Sequence, residues 1–179
     1  MNRDIDRILF TEAEINAKCR ELGAQITQDY LSNQETPLLV ALLKGSIPFL
    51  ADLMKYIDLP IKFDCMDVSS YDGAESIGDI RILKDLDYSL KNVSVLLVED
   101  IVDTGRTLHE IKKLLYNKGA KDVKVVTLLD KPSRRVVEMQ PDYQGFEIEN
   151  EFVVGYGLDY NQLYRNLPYV GILKRSVYE

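Results

Sequence analysis

The stretch VLLVEDIVDTGRT, residues 95–107, concentrates the chemistry of this chain. Its first half carries an apolar run into two adjacent carboxylates, Glu99 and Asp100, with a third, Asp103, close behind. Its second half is a small turn, Thr104 and Gly105, followed by Arg106, Thr107 and a helical pattern. Neighbouring side chains of a strand point to opposite faces. Two adjacent acids at a strand end can therefore flank one ligand from two sides. Vicinal hydroxyls suit them, because hydroxyls donate to carboxylates. Magnesium suits them too, as a hard cation that takes oxygen ligands. The turn suits an anion, since its amides are backed by a helix N-terminus. Thr104 and Thr107 add hydroxyl donors. Together the halves describe a ribose 5-phosphate held at both ends. The plainer alternative is an acidic strand end in which Asp103 or Thr104 only caps the helix.

Alternating strands and helices must position these groups. Thr11 and Glu14 form a T-x-x-E capping box, and Ile15, Cys19, Leu22, Ile26 and Tyr30 follow at helical spacing, so a helix is expected over 12–32. PLLVALL (37–43) reads as a strand buried on both faces. SIPFLADLMKYI (46–57) reads as a helix that tolerates Pro48 in its first turn. Further strands are expected at 61–70, 80–86, 93–98, 123–130, 152–156 and 169–174, and a helix over 106–119 stopped near Gly119. The polar SYDGAESIGD (70–79) reads as a loop. This alternation predicts an α/β fold with a mostly parallel central sheet flanked by helices, in one domain over residues 1–179. Ligands of such sheets bind beyond the C-terminal strand ends.

Bulk composition narrows the function. A chain of 179 residues with 46% hydrophobic residues supports an ordinary core. Its 22 Lys and Arg against 29 Asp and Glu leave a net charge of -7, which argues against nucleic-acid binding, a process that rests on cationic contacts to phosphates. No apolar run reaches the length of a membrane span. MNRDIDRILF lacks the apolar core of a secretory leader. Cys19 and Cys65 have no metal or redox spacing. A reduced, cytoplasmic protein is expected.

The stretch 95–107 resembles the phosphoribosyl pyrophosphate (PRPP) motif of the purine phosphoribosyltransferases, the hypoxanthine-guanine type in particular. LLKGS (42–46), SSYDG (69–73), LLDKPSRR (128–135) and FVVGYGLDYNQLYRNLPYVG (152–171) match that family in the same order. The resemblance implies a type I phosphoribosyltransferase fold, with a small hood built from chain-terminal segments. It implies transfer of the phosphoribosyl group of PRPP to hypoxanthine or guanine, giving IMP or GMP and pyrophosphate, with Mg2+ as cofactor. It assigns Glu99 and Asp100 to the ribose hydroxyls and metal, and Asp103 to proton exchange at purine N7. Asp103, Thr104, Gly105, Arg106 and Thr107 would bind the 5-phosphate. Lys44, Gly45 and Arg165 would bind pyrophosphate, and Ser70 and Tyr71 would belong to a closing lid. Ile101, Lys131, Phe152, Val153 and Asp159 would form the purine site, with Asp159 also a metal ligand. In this family the peptide before the residue matching Lys44 can be cis. A homodimer or homotetramer is implied as well.

Two departures from the family pattern stand out: Arg106 where Lys is frequent, and Gly157 where Ala is frequent. Neither carries an evident consequence in the sequence. His109, the one histidine, reads as a surface residue. Arg134 and Arg135 read as solvating a helix end or as an oligomer contact. Two other classes fit less well. A nucleic-acid-binding regulator on the same fold would need a basic surface. A receiver-type signalling domain would carry its acidic pair near the first strand.

Overall fold

The computed structural model describes residues 2–70 and 80–178. Helix α1 (Glu12–Ser32) forms where the periodicity places it, and both halves of its capping box are made: Thr11 Oγ1 accepts from the Glu14 amide at 3.3 Å, and Glu14 Oε2 accepts from the Thr11 amide at 2.8 Å. Thr11→Ala removes one of these bonds and should lower stability by about 1 kcal/mol. Calorimetry should show a melting midpoint roughly 2–4 °C lower, at unchanged activity.

Strand β1 (Ile5–Phe10) precedes this helix, and β2 (Leu38–Leu42), α2 (Ile47–Leu53), β3 (Lys62–Ser70), β4 (Ile80–Lys84), β5 (Ser94–Val102), α3 (Arg106–Asn117), β6 (Asp122–Asp130) and β7 (Tyr143–Glu147) follow it. Among the described residues the central sheet has the order β4-β3-β2-β5-β6-β7, parallel throughout except for β4. Both faces are covered. Leu39, Ala41, Leu96 and Val98 pack under α1 and α2, while Leu38, Val40, Val95 and Leu97 pack under α3. That is why β2 and β5 read as unbroken apolar runs rather than alternating ones.

The chain ends build a second, antiparallel sheet. Strand β9 (Val170–Leu173) lies between β1 and β8 (Val153–Val154), and a short helix, α4 (Arg175–Tyr178), follows. This is the expected hood. Ile5, Val154, Tyr164, Leu167 and Leu173 form its own small core. No described helix is long and apolar enough to cross a membrane.

The structure differs from expectation at β5, β8, β1 and β7. Strand β5 runs on to Val102 instead of stopping at Val98, because β6 supplies partners as far as Val102↔Asp130. The run FVVGY yields only two strand residues, since the chain turns left-handed from Gly155. Strands β1 and β7 arise where no strand was expected, in IDRILF and YQGFE, whose burial does not alternate.

Candidate active site

The central sheet is wound in two directions. From β2 the chain crosses through α2 to β3 on one side; from β5 it crosses through α3 to β6 on the other. The adjacent C-terminal ends of β2 and β5 are therefore the switch point, where open α/β sheets bind ligands. The loop after β2 carries Lys44 and Gly45, and the end of β5 carries Glu99, Asp100 and Asp103. The Leu43–Lys44 peptide is cis. Gly45 meets the acidic pair so closely that a Cβ there would lie 1.7 Å from Asp100 Oδ2, so only glycine lets the two loops approach this way.

Burial acts strongly on the acidic pair. It pushes the Glu99 carboxyl well above the usual carboxylate range, and the neighbouring Asp100 charge adds to the rise. Burial also lifts Asp100 to about 6, against the Ile101 amide, which donates to its Oδ1 at 2.8 Å, and against the charge of Arg165. Two carboxylates held so are a place where positive charge or hydroxyl donors bind with advantage. Among the described residues no group of three or more His, Cys, Asp or Glu stands together as a metal cage. Magnesium does not need one: it is commonly held by one or two carboxylates with waters and substrate phosphates.

After β5 the chain forms the turn and enters α3. Gly105 is its N-cap, at φ +80 and without a side-chain cap; the Arg106 amide donates to Thr104 Oγ1 at 3.4 Å, which leaves the amides that follow it in the first turn for a ligand. The loop is fixed from behind. Arg135 donates from Nη1 to the Asp103 carbonyl at 2.6 Å and pairs with Asp130, and the Val136 amide donates to the Thr104 carbonyl at 3.1 Å.

Beside this turn opens a cleft of about 460 Å³, and Ile101, Asp103, Lys131, Phe152, Val153 and Asp159 all line it. These residues come from β5, the end of β6 and the hood, and the fold brings every expected purine-site residue together with Asp103. Lys131 is buried; its Nζ donates to the Glu151 carbonyl at 2.7 Å, and burial holds its ammonium below the ordinary lysine value. Phe152 is 37% exposed, offers a ring to the cleft, and stacks on Tyr178 with centroids 4.8 Å apart. Asp159 pairs with Arg165 at 2.8 Å, which ties the cleft wall to the residue expected to contact pyrophosphate.

Three groups escaped the sequence reading. Arg134 does end a short 3-10 helix, Pro132–Arg134, but it also reaches the site: its Nε donates to Asp103 Oδ1 at 3.0 Å, and it lines the cleft. Arg135 anchors the turn that precedes α3. Tyr178, from α4, closes the cleft beside Phe152. The spacing of Arg134 and Arg135 behind the strand-ending Lys131 was the available signal. Nothing in the local sequence marks Tyr178. Ser70 ends β3, opposite Ile80, while Tyr71 lies outside the described residues.

The double-wound sheet with its hood is shared with known proteins. Residues 8–161 match the family described as the phosphoribosyl transferase domain, and the chain belongs to that family. It is 51% identical to the hypoxanthine-guanine phosphoribosyltransferase of Lactococcus lactis over 99% of this chain and 96% of that protein. With the enzyme of the same name from Bacillus subtilis the identity is 50%, over 100% and 99% of the two chains. The crystal structure of a hypoxanthine phosphoribosyltransferase from Staphylococcus aureus superimposes with a TM-score of 0.94 at 50% identity, covering 100% of this chain and 97% of that one.

Proposed function

We propose that this chain transfers the 5-phosphoribosyl group of PRPP to hypoxanthine, and also to guanine, giving IMP or GMP and pyrophosphate in purine salvage. The observation that carries this reading is the single cleft gathering Ile101, Asp103, Lys131, Phe152, Val153 and Asp159 beside the acidic pair and the phosphate turn. The purine lies against Phe152 and Ile101, with its 6-oxo group taking a hydrogen bond from Lys131. The Glu151 carbonyl keeps the Lys131 ammonium in place.

Glu99 and Asp100 hold the ribose hydroxyls. The amides and hydroxyls from Thr104 to Thr107 hold the 5-phosphate, and Lys44, Gly45 and Arg165 hold the pyrophosphate. As the C1′–oxygen bond to pyrophosphate breaks, purine N9 bonds to C1′ and the proton on N7 passes to Asp103. The developing positive charge on the sugar is stabilised by positioned groups rather than by covalent catalysis. Glu99 and Asp100 would hold one Mg2+ with substrate oxygens and Asp159 would ligate a second, and the charge so supplied would neutralise the leaving pyrophosphate. Ser70 and Tyr71 would cover the site and exclude water. The assembly proposed is a cytoplasmic homodimer or homotetramer of one catalytic domain.

Incubation with PRPP, magnesium and, separately, hypoxanthine, guanine, xanthine or adenine tests this reading. Nucleotide should form with hypoxanthine and guanine; none from any base would sink it. Lys131→Ala should cut kcat/KM for hypoxanthine about 10- to 100-fold, because a hydrogen bond from a charged donor is lost. The KM for PRPP should hardly change. Equal hypoxanthine use by variant and parent would remove Lys131 from purine recognition.

A further inference from the structure

Behind the hood strand, Gly155, Tyr156 and Gly157 take three successive positive φ values, +95, +49 and +97. Glycine adopts this region freely. A bulky tyrosine rarely does, and persists there only where its surroundings over-determine it. Here they do: Tyr156 is buried, and its hydroxyl donates to Asp52 Oδ2 at 2.6 Å, with the Pro48 carbonyl 3.3 Å away.

Both partners sit on α2, the helix that starts just after Gly45. The turn itself touches the other loop. The Gly157 carbonyl accepts from Arg165 Nη1 at 2.6 Å, and the Gly157 amide donates to the Arg165 carbonyl at 2.9 Å. A Cβ on Gly157 would lie 1.9 Å from the Gly45 carbonyl oxygen, so this departure from the family's frequent Ala has a steric consequence after all. The purine wall is held differently. Phe152 and Val153 are fixed by pairing with β9, through Leu173 N–H to the Phe152 carbonyl at 2.9 Å and Val153↔Ile172.

We propose that Tyr156 is a positioning residue whose hydroxyl, through Asp52, seats the Gly157–Arg165 loop against the Lys44–Gly45 loop, and so serves the pyrophosphate half of the PRPP site and not the purine cleft. This rests on the transferase reading above. Burial, with the Asp52 carboxylate beside it, keeps the Tyr156 phenol protonated as the donor. The ring stays buried in Tyr156→Phe, so only the anchor is lost.

The test compares parent, Tyr156→Phe and Asp52→Asn by calorimetric titration of PRPP with magnesium present, and by steady-state KM for both substrates. Tyr156→Phe should weaken PRPP binding about five- to tenfold while the hypoxanthine KM stays within about twofold. Asp52→Asn keeps an oxygen acceptor for the phenol and should weaken PRPP binding about two- to threefold. Unchanged PRPP affinity in Tyr156→Phe would overturn the proposal, as would equal rises in both KM values. Should Tyr156→Phe fail to fold, Asp52→Ala decides, since it removes the acceptor at a partly exposed position on α2: PRPP binding should weaken about five- to tenfold, and unchanged affinity would overturn the proposal. The titration needs no turnover. A parent that binds PRPP but forms no nucleotide would therefore contradict the transferase reading only, and the comparison of affinities would still decide this one.

Discussion

Asp103→Asn should slow nucleotide formation by about 10²- to 10³-fold and leave the KM for PRPP within a few-fold. The side chain lines the cleft with Ile101, Lys131 and Phe152, where a bound purine ring would lie. Asparagine keeps the size of the side chain and an oxygen that still accepts from Arg134, so the turn should keep its shape. What disappears is a group that can take and return a proton. The Arg134 pair is a poor candidate for stabilising the fold, because both side chains are substantially exposed, at 47% and 39%. The melting midpoint should thus barely move while kcat falls. A steady-state comparison at saturating PRPP and hypoxanthine reads the effect directly. Unchanged turnover would leave Asp103 with no part in proton transfer.

How legible the molecule was in its sequence depended on whether the signal was local. Helix α1 is a capping box followed by an apolar stripe, and both are written within 21 residues. Strands β2 and β5 are buried on both faces, and an apolar run says so without help. Strand β7 is different: YQGFE becomes a strand because the end of β6 offers it a parallel edge, with partners from Val126↔Tyr143 to Asp130↔Glu147. Strand β1 likewise exists because β9, more than 150 residues later, pairs with it. The site divides the same way. The acids and the turn follow from spacing, whereas Lys131 enters the site only through the family resemblance. The grip of Arg134 and Arg135 on Asp103, and the meeting of Gly157 with Gly45, depend on segments brought together only by the sheet order. Sequence periodicity cannot report such contacts, because it describes one element at a time.

Gly45→Ala should lower kcat/KM for PRPP about 100-fold while lowering stability only slightly. An added Cβ would stand 1.7 Å from Asp100 Oδ2 and 2.8 Å from its Cγ. Something must move, and the softest partner is the Asp100 side chain rather than a backbone. Its rotation would break the 2.8 Å bond from the Ile101 amide and carry the carboxylate away from the ribose hydroxyls and metal it is proposed to hold. Misplacing a positioned group by about 1 Å can cost 10²-fold in rate. The fold should absorb the change for about 1 kcal/mol, a melting shift of roughly 2–4 °C. A double-mutant cycle separates this route from general damage. If Gly45→Ala acts by displacing Asp100, it should cost little more once Asp100→Ala is already present. Full multiplication of the two losses would show instead that the alanine harms the pyrophosphate loop by itself, and that the close approach of Gly45 to Asp100 is a packing detail without a catalytic role.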